Sequence, residues 1–160
     1  MSTLLVQGCS KSKNQATEPI PALDLYSGFF FKIIKKAIRE GEMVDDIDIC
    51  ILSAEHGLID VETSIETYDR RMDRQRAREL APEVSKQLGL WVDGQYDRVV
   101  LNLGRAYRRT LSEFTPNSEV SLCHIDGEGI GEKGHALKRF LRGDDSVVEE
   151  YQPPLETGQQ

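Results

Sequence analysis

The chain has little of what stabilises secreted domains or builds metal sites. Its cysteines are few, odd in number and far apart, which predicts reduced thiols in a cytoplasmic setting; they are Cys9, Cys50 and Cys123. The histidines at 56, 124 and 135 have none of the close spacings of zinc sites, and no C-x-x-C pair occurs. The sequence therefore predicts no metal site, and it also predicts no cofactor.

Long apolar runs are also missing. No stretch approaches the roughly 20 residues that cross a bilayer, and residues 1–3 lead into a predicted strand rather than a cleavable leader. We therefore expect a cytoplasmic protein that does not contact a membrane. The length of 160 residues fits one domain with its own core.

Positive charge is scarce overall and unevenly placed. The net charge is −7, and residues 144–160 contain five acids and no Lys or Arg. We predict that residues 1–143 form a single α/β domain and that residues 144–160 form an acidic, disordered tail. Basic residues cluster at Lys11/Lys13, 70–78 and 105–109. Because nucleic-acid binding usually needs a broad basic face, RNA or DNA stays open as a partner beside a small nucleotide, nucleoside or base.

Four short apolar runs each end in a glycine or small polar motif, followed by a helical pattern. The runs are Thr3–Gln7, Ile47–Leu52, Arg98–Leu101 and Val120–Ile125. Their long connections are typical of crossovers and predict a three-layer α/β fold with a mostly parallel four-stranded sheet, Rossmann-like in type. All four loops would then lie at the carboxyl edge, where open α/β sheets bind ligands.

The sequence predicts one helix after each of these four strands. Ser27 is the expected N-cap of the first helix, and Pro82 is expected to kink or split the second. The arginines of residues 70–78 are interpreted mainly as a solvated helix surface. The predicted helices are Phe29–Glu40, Asp73–Leu90, Arg105–Glu113 and His135–Leu141.

Two of the loops suit an anionic ligand. Residues 8–13 supply hydroxyls, amides and two lysines after a buried strand, without the spacing of a nucleotide-hydrolysing P-loop. Residues 129–134 fit G-x-G-x-x-G, but they follow the last strand, which argues against a nicotinamide or flavin cofactor. A solvated turn and a flexible glycine turn are the respective alternatives.

The Ser53–Gly57 loop holds two groups that transfer protons. Glu55 is the preferred general acid or base, with Asp69, Asp126 and Glu128 as alternatives, whereas His56 also suits a purely structural hydrogen bond. The predicted ligand-binding residues are Cys9, Ser10, Lys11, Lys13, Ser53, His56, Gly57, Tyr68, Asn102, Gly104, Tyr107, Gly129 and Gly131.

Several of these motifs together resemble a domain-of-unknown-function family of archaea, bacteria and phages. They are Cys9–Lys13, Asp24–Ser27, Leu52–Ile59 with Ile65 and Tyr68–Asp69, Leu103–Tyr107 and Gly129–Gly131. The opening Cys-Ser-Lys and the later Tyr-Ser are more distantly similar to an accessory domain of archaeosine synthase-like tRNA-modifying proteins. That resemblance implies a uracil-DNA glycosylase-like fold, although a glycosylase's catalytic Asp and His motifs have no clear equivalent here.

Three functions are consistent with the sequence. An enzyme would cleave or exchange an N-glycosidic bond, with Lys11, Lys13 and the Gly129/Gly131 amides holding an anion and Glu55 transferring a proton. Asn102 and Tyr107 would line its base pocket. A binding module would recognise a nucleotide or an RNA or DNA end in the same pocket without chemistry, and the arginines of residues 70–78 would supply phosphate contacts. A stress-response or accessory protein would use the loops only structurally.

Overall fold

A computed structural model describes residues 2–152, and its centre is a six-stranded, mostly parallel sheet. The strand order is β4-β3-β1-β6-β7-β8, and β2 pairs with β5 in a separate two-stranded sheet. The strands are β1 Thr3–Gly8, β2 Ile20–Pro21, β3 Ile47–Ser53, β4 Gly57–Asp60, β5 Ser64–Ile65, β6 Arg98–Asn102, β7 Ser121–Ile125 and β8 Val148–Glu150.

The central strands are buried on both sides because helices cover both faces of the sheet. Every residue of β1 is buried. Leu4 and Val6 face a core that contains the apolar side of α3, whereas Leu5 faces the core formed with α2 and α5. Two-sided burial explains why these strands read as continuous apolar runs. The helices are α1 Ala22–Leu25, α2 Phe29–Arg39, α3 Arg74–Val92, α4 Arg105–Arg108 and α5 Gly129–Leu141.

The four predicted strands are present as β1, β3, β6 and β7 and pair in parallel. The prediction of a four-stranded sheet was wrong, because an antiparallel strand extends the sheet at each edge. At one edge, Gly57 adopts φ +75°, a left-handed conformation that glycine tolerates, and β4 turns back on β3. Neither short edge strand carries the long apolar run that marks the central strands.

The other edge strand, β8, lies in the segment predicted to be a tail. Residues 145–147 form a 3₁₀ helix, and β8 then pairs with β7. Val147 is buried and Arg98 binds Asp145 at 2.9 Å, so this part of the acidic segment packs on the domain. The predicted tail residues 153–160 lie outside the described residues.

The helices differ from prediction mainly at their ends. Gly28 rather than Ser27 is the N-cap of α2, and α3 continues through Pro82 as one helix. The predicted Arg105–Glu113 helix is a single turn followed by a 3₁₀ turn at residues 109–111. Helix α5 begins at Gly129, so the glycine motif forms its first turns instead of a loop before it. Within residues 2–152, no helix is long and apolar enough to cross a membrane.

Candidate functional site

A cleft of about 620 Å³ opens at the carboxyl ends of β1 and β6. These two strands are neighbours in the sheet. After β1 the chain adds β3 on one side of β1, and it later adds β6 and then β7 on the other side. The reversal of strand order is the place where open α/β sheets bind ligands. We call it the β1–β6 cleft; it is lined by Cys9, Ser10, Lys11, Lys13, Asp69, Arg70, Arg71, Met72 and Tyr107.

The loop after β1 forms one wall and is fixed by backbone contacts. The Cys9 amide donates to the Leu52 carbonyl at 3.0 Å, which extends the β1–β3 pairing by one residue. The Gly28 amide donates to Ser10 Oγ at 3.2 Å, and Ser10 Oγ donates to the Ser12 carbonyl at 2.7 Å. A Cβ at Gly28 would lie 2.5 Å from Ser10 Cβ, so only glycine permits this approach. The start of α2 therefore holds the lysine-bearing loop in place.

Tyr107 closes the cleft from the β6 side. It lies in α4, whose N-cap is Gly104, directly after β6. Its hydroxyl lies 3.1 Å from Cys9 Sγ and donates to the Cys9 carbonyl at 3.2 Å. Burial raises the pKa of Tyr107 well above its usual range, and the nearby Cys9 adds to the effect. The phenol therefore remains a neutral hydrogen-bond donor at physiological pH.

Three hydroxyls form a chain next to the cleft. Tyr68 Oη lies 2.6 Å from Tyr26 Oη and 3.0 Å from Ser53 Oγ. Ser53 Oγ also accepts from the amides of Glu55 and His56, at 3.1 and 3.0 Å. Burial raises the pKa of Tyr26 to about 12 and raises that of Tyr68 further. This series of neutral hydroxyl contacts thus joins the turn after β3 to the Tyr68 ring.

Lys13 is placed by the aromatic ring at the end of that chain. Its Nζ lies 4.3 Å from the centre of the Tyr68 ring and donates to the Lys11 carbonyl at 3.3 Å. A cation over a tyrosine face is attracted by about 0.5–2 kcal/mol. Tyr68 therefore acts on the cleft through Lys13, and it does not itself line the cavity.

Positive charge dominates the lining, with four cations against the single carboxylate of Asp69. Arg70 is partly neutralised, because its guanidinium binds Glu55 at 3.1 Å and Glu79 at 3.7 Å. Lys11 and Arg71 are exposed, and among residues 2–152 their side chains form no hydrogen bond or ion pair. The cleft of this acidic protein is therefore locally suited to an anion.

Glu55 and His56 lie behind the cleft rather than in its lining. The Glu55 carboxylate accepts from Arg70 Nη1 at 3.1 Å, and the His56 ring packs edge-on against Tyr68 at 5.5 Å between centroids. This geometry gives Glu55 a role in orienting Arg70. Its role as a general acid or base stays a prediction, as do those of Asp69, Asp126 and Glu128.

Among residues 2–152, two of the four predicted loops contribute to the β1–β6 cleft, the loop after β1 and, through Tyr107, the loop after β6; the loops after β3 and β7 do not line it. Asn102 is buried and donates to Gln7 Oε1 at 2.9 Å, so its amide serves the sheet. Gly57 forms the β3–β4 turn and Gly104 caps α4. Gly131 lines a separate cavity of about 460 Å³ beside α5, and Gly129 begins that helix. Of the loops predicted to bind an anion, only the one after β1 lines the β1–β6 cleft.

Sequence reasoning named the arginines of the second wall only as an alternative. Arg70, Arg71 and Met72 precede α3 and line the cleft. From the sequence, residues 70–78 are interpreted mainly as a solvated helix surface, and as phosphate contacts only in a binding module. Asp73 caps the helix by accepting from the Arg76 amide at 2.8 Å, which marks the start of α3. The predicted helix also begins at Asp73, so both arginines already precede it, and only the packing of this segment brings them to the cleft.

The described residues contain no group of three or more His, Cys, Asp or Glu side chains that could hold a metal ion. The same part of the chain contains three free cysteines, Cys9, Cys50 and Cys123. Burial raises the pKa of the Cys50 and Cys123 thiols.

Comparison with known proteins gives a family but no activity. Residues 4–139 match the model of DUF6884, a family of unknown function. No protein with a curated description matches the chain. The crystal structure of AF0587, a protein of unknown function, is similar with a TM-score of 0.45 and 15% identity. That similarity covers 89% of this chain and 45% of AF0587, so the chain spans less than half of that protein.

Proposed function

The chain belongs to DUF6884, whose function is unknown, and we propose that it binds a nucleotide, or a related nucleoside or modified base, in the β1–β6 cleft. The observation that carries the proposal is a cavity of about 620 Å³ in which four cations meet an aromatic ring and a thioether at the switch point of the sheet. Its volume falls within the range of about 300–1,000 Å³ of small-molecule sites.

The phosphate would be bound by the cations that have no partner in the protein. Lys11 and Arg71 are exposed and unpaired among the described residues, so they lose no ion pair when they bind an anion. Hydrogen bonds to charged groups contribute about 1.5–3 kcal/mol each. Arg70 already binds two glutamates, so it would contribute less to phosphate binding.

The base would contact the less polar side of the cleft. Met72 and Tyr107 supply apolar surface there, and the Tyr107 hydroxyl is a neutral donor. Stacking of a base on an aromatic ring is worth about 1–3 kcal/mol. We also propose that the fold is Rossmann-like or uracil-DNA glycosylase-like, which the parallel order β3-β1-β6-β7 supports, and that the protein is cytoplasmic.

Thermal unfolding in the presence of nucleobases, nucleosides and nucleotides tests the proposal. A ligand at 100 times its Kd stabilises by about 2.7 kcal/mol, which raises Tm by roughly 5–11 °C for a chain of this size. Arg71→Gln should remove most of the shift given by a phosphorylated ligand, whereas the exposed α3 control Arg78→Gln should keep it. No shift with any member of the panel would refute nucleotide binding.

One observation favours an enzyme that cleaves or exchanges N-glycosidic bonds. Asp69 contributes the carboxylate in the cleft lining, and a carboxyl group there is placed to transfer a proton to or from a bound ligand. If this candidate is correct, chromatography will detect free base released from a bound nucleoside or nucleotide. Asp69→Asn should then stop release with ligand affinity retained. Absence of release from every ligand that binds would leave the non-catalytic binding module.

A further inference from the structure

We propose that the ligand of the β1–β6 cleft is one nucleotide of a single-stranded nucleic acid, whose flanking phosphates lie on a basic stripe around the cleft. This inference rests on the proposed nucleotide binding and extends it to a substrate class. The basic stripe consists of four exposed side chains that have no partner among residues 2–152; they are Lys11, Arg71, Arg74 and Arg105.

The stripe continues directly from the lining of the cleft. Arg74 begins α3, two positions after Met72, and Arg105 begins α4, two positions before Tyr107. Arg105 therefore shares α4 with the cleft residue Tyr107, and Arg74 begins α3 directly after the segment that lines the cleft. A free mononucleotide would use Lys11 and Arg71 in the cavity and leave these two cations without an anion. A polynucleotide supplies further phosphates on either side of the bound base.

The net charge of −7 would disfavour a polyanionic ligand if it were spread evenly. Acidic and basic residues are instead separated between regions of the sheet. At the carboxyl edge, residues 8–16 contain two lysines and no acid, and residues 103–112 contain three arginines and no acid. The connection into the amino end of β3, residues 40–48, contains five acids and no Lys or Arg. The overall acidity therefore comes partly from a surface that is remote from the cleft.

The charge also changes along the carboxyl edge of the sheet. Residues 126–132 follow β7 and contain three acids, so negative charge begins one strand beyond β6. A polyanion is consequently favoured along α4 and the loop after β1, whereas in the segment before α3 Asp69 and Asp73 flank Arg70 and Arg71. The uneven charge therefore guides the nucleic-acid strand along one path. Complementary surface potentials orient partners in the same way in other complexes.

The cost of unpairing favours a single strand over a duplex. The cavity of about 620 Å³ has the size of a site for one small ligand, so a duplex would have to expose one of its nucleotides to fill it. In a duplex, the base edges and faces are covered by pairing and stacking, and exposing them costs a few kcal/mol. A single strand can present an unpaired base to Tyr107 while its backbone follows the cations.

Fluorescence anisotropy with a labelled single strand of about 12 nucleotides, the matched duplex and a competing mononucleotide tests the inference. Four phosphate contacts on a single strand give a slope of about −3 for log Kobs against log[salt]. The variant R74Q/R105Q should weaken strand binding at least about tenfold, reduce the slope by about 1.4, and leave mononucleotide affinity unchanged. The control R39Q/K86Q removes two exposed charges away from the cleft and should bind the strand as the native protein does.

Each other outcome contradicts a defined part of the argument. Equal affinity for strand and mononucleotide, with equal salt slopes, would overturn the inference and leave nucleotide binding intact. Binding of the duplex as tightly as the single strand would overturn the assignment to an unpaired strand. Strand binding without mononucleotide binding would refute the proposed function instead, and binding of neither would refute both.

Discussion

The hydroxyl contact between Tyr26 and Tyr68 gives a sharp test of the structure next to the cleft. Their oxygens lie 2.6 Å apart, and Tyr26 is fully buried. Tyr68 also contacts Ser53 at 3.0 Å, so Tyr68→Phe removes a partner from two hydroxyls while preserving the ring under Lys13. Tyr26→Phe removes the hydroxyl that lies 2.6 Å from Tyr68, while Tyr68 keeps its contact with Ser53.

These differences predict that the two variants lose unequal amounts of the free energy of unfolding. Leaving buried hydroxyls with fewer partners should make Tyr68→Phe destabilising by about 2 kcal/mol, and Tyr26→Phe should cost about 1 kcal/mol. The double variant should cost about 2 kcal/mol rather than the sum of about 3 kcal/mol, because both ends of the short contact are then absent. The expected coupling is therefore about 1 kcal/mol.

Urea denaturation of the four proteins, with a common m value, measures this cycle. Additivity within about 0.5 kcal/mol would show that the two hydroxyls are not bonded in solution and would refute the reasoning. Ligand binding gives an independent check. Tyr68→Phe should retain nucleotide affinity because the ring still places Lys13, whereas Tyr68→Leu should lower it.

Two further predictions concern pH and backbone conformation. Burial raises the pKa of Tyr26 from 10.0 to about 12, so its contribution to folding stability is full below pH 10 and falls as the pH rises from 10 toward 12. The urea midpoint of Tyr26→Phe should therefore fall less steeply over this pH range than that of the native protein. Identical pH profiles would contradict the burial of Tyr26. Gly127→Ala should cost more than about 1 kcal/mol, because φ is +138° and the new Cβ would lie 2.9 Å from the Lys133 amide nitrogen. Gly131→Ala has open space and should be close to neutral in the same denaturation assay, so equal losses at both positions would contradict the described start of α5.

The sequence alone determined the four parallel strands and that a helical segment follows each of them. Runs such as Leu4–Val6 are apolar at successive positions because helices cover both sides of the sheet, and this pattern is local enough to read. Motif chemistry also placed Lys11, Lys13 and Tyr107 among the candidate ligand contacts, and all three line the cleft. These residues follow buried strands directly, so their position depends little on the rest of the chain.

Tertiary structure alone decided which loops share a cavity. The order β3-β1-β6-β7 places the ends of β1 and β6 side by side and leaves the loop after β7 outside. Strand order follows from pairing between distant segments, and the apolar pattern of a strand does not encode its neighbour. For the same reason Arg70 and Arg71 enter the cleft through the packing of the segment before α3, whereas Asn102 turns to Gln7 and Glu55 to Arg70. The chain thus fixed the chemical groups locally, and long-range packing selected those that meet.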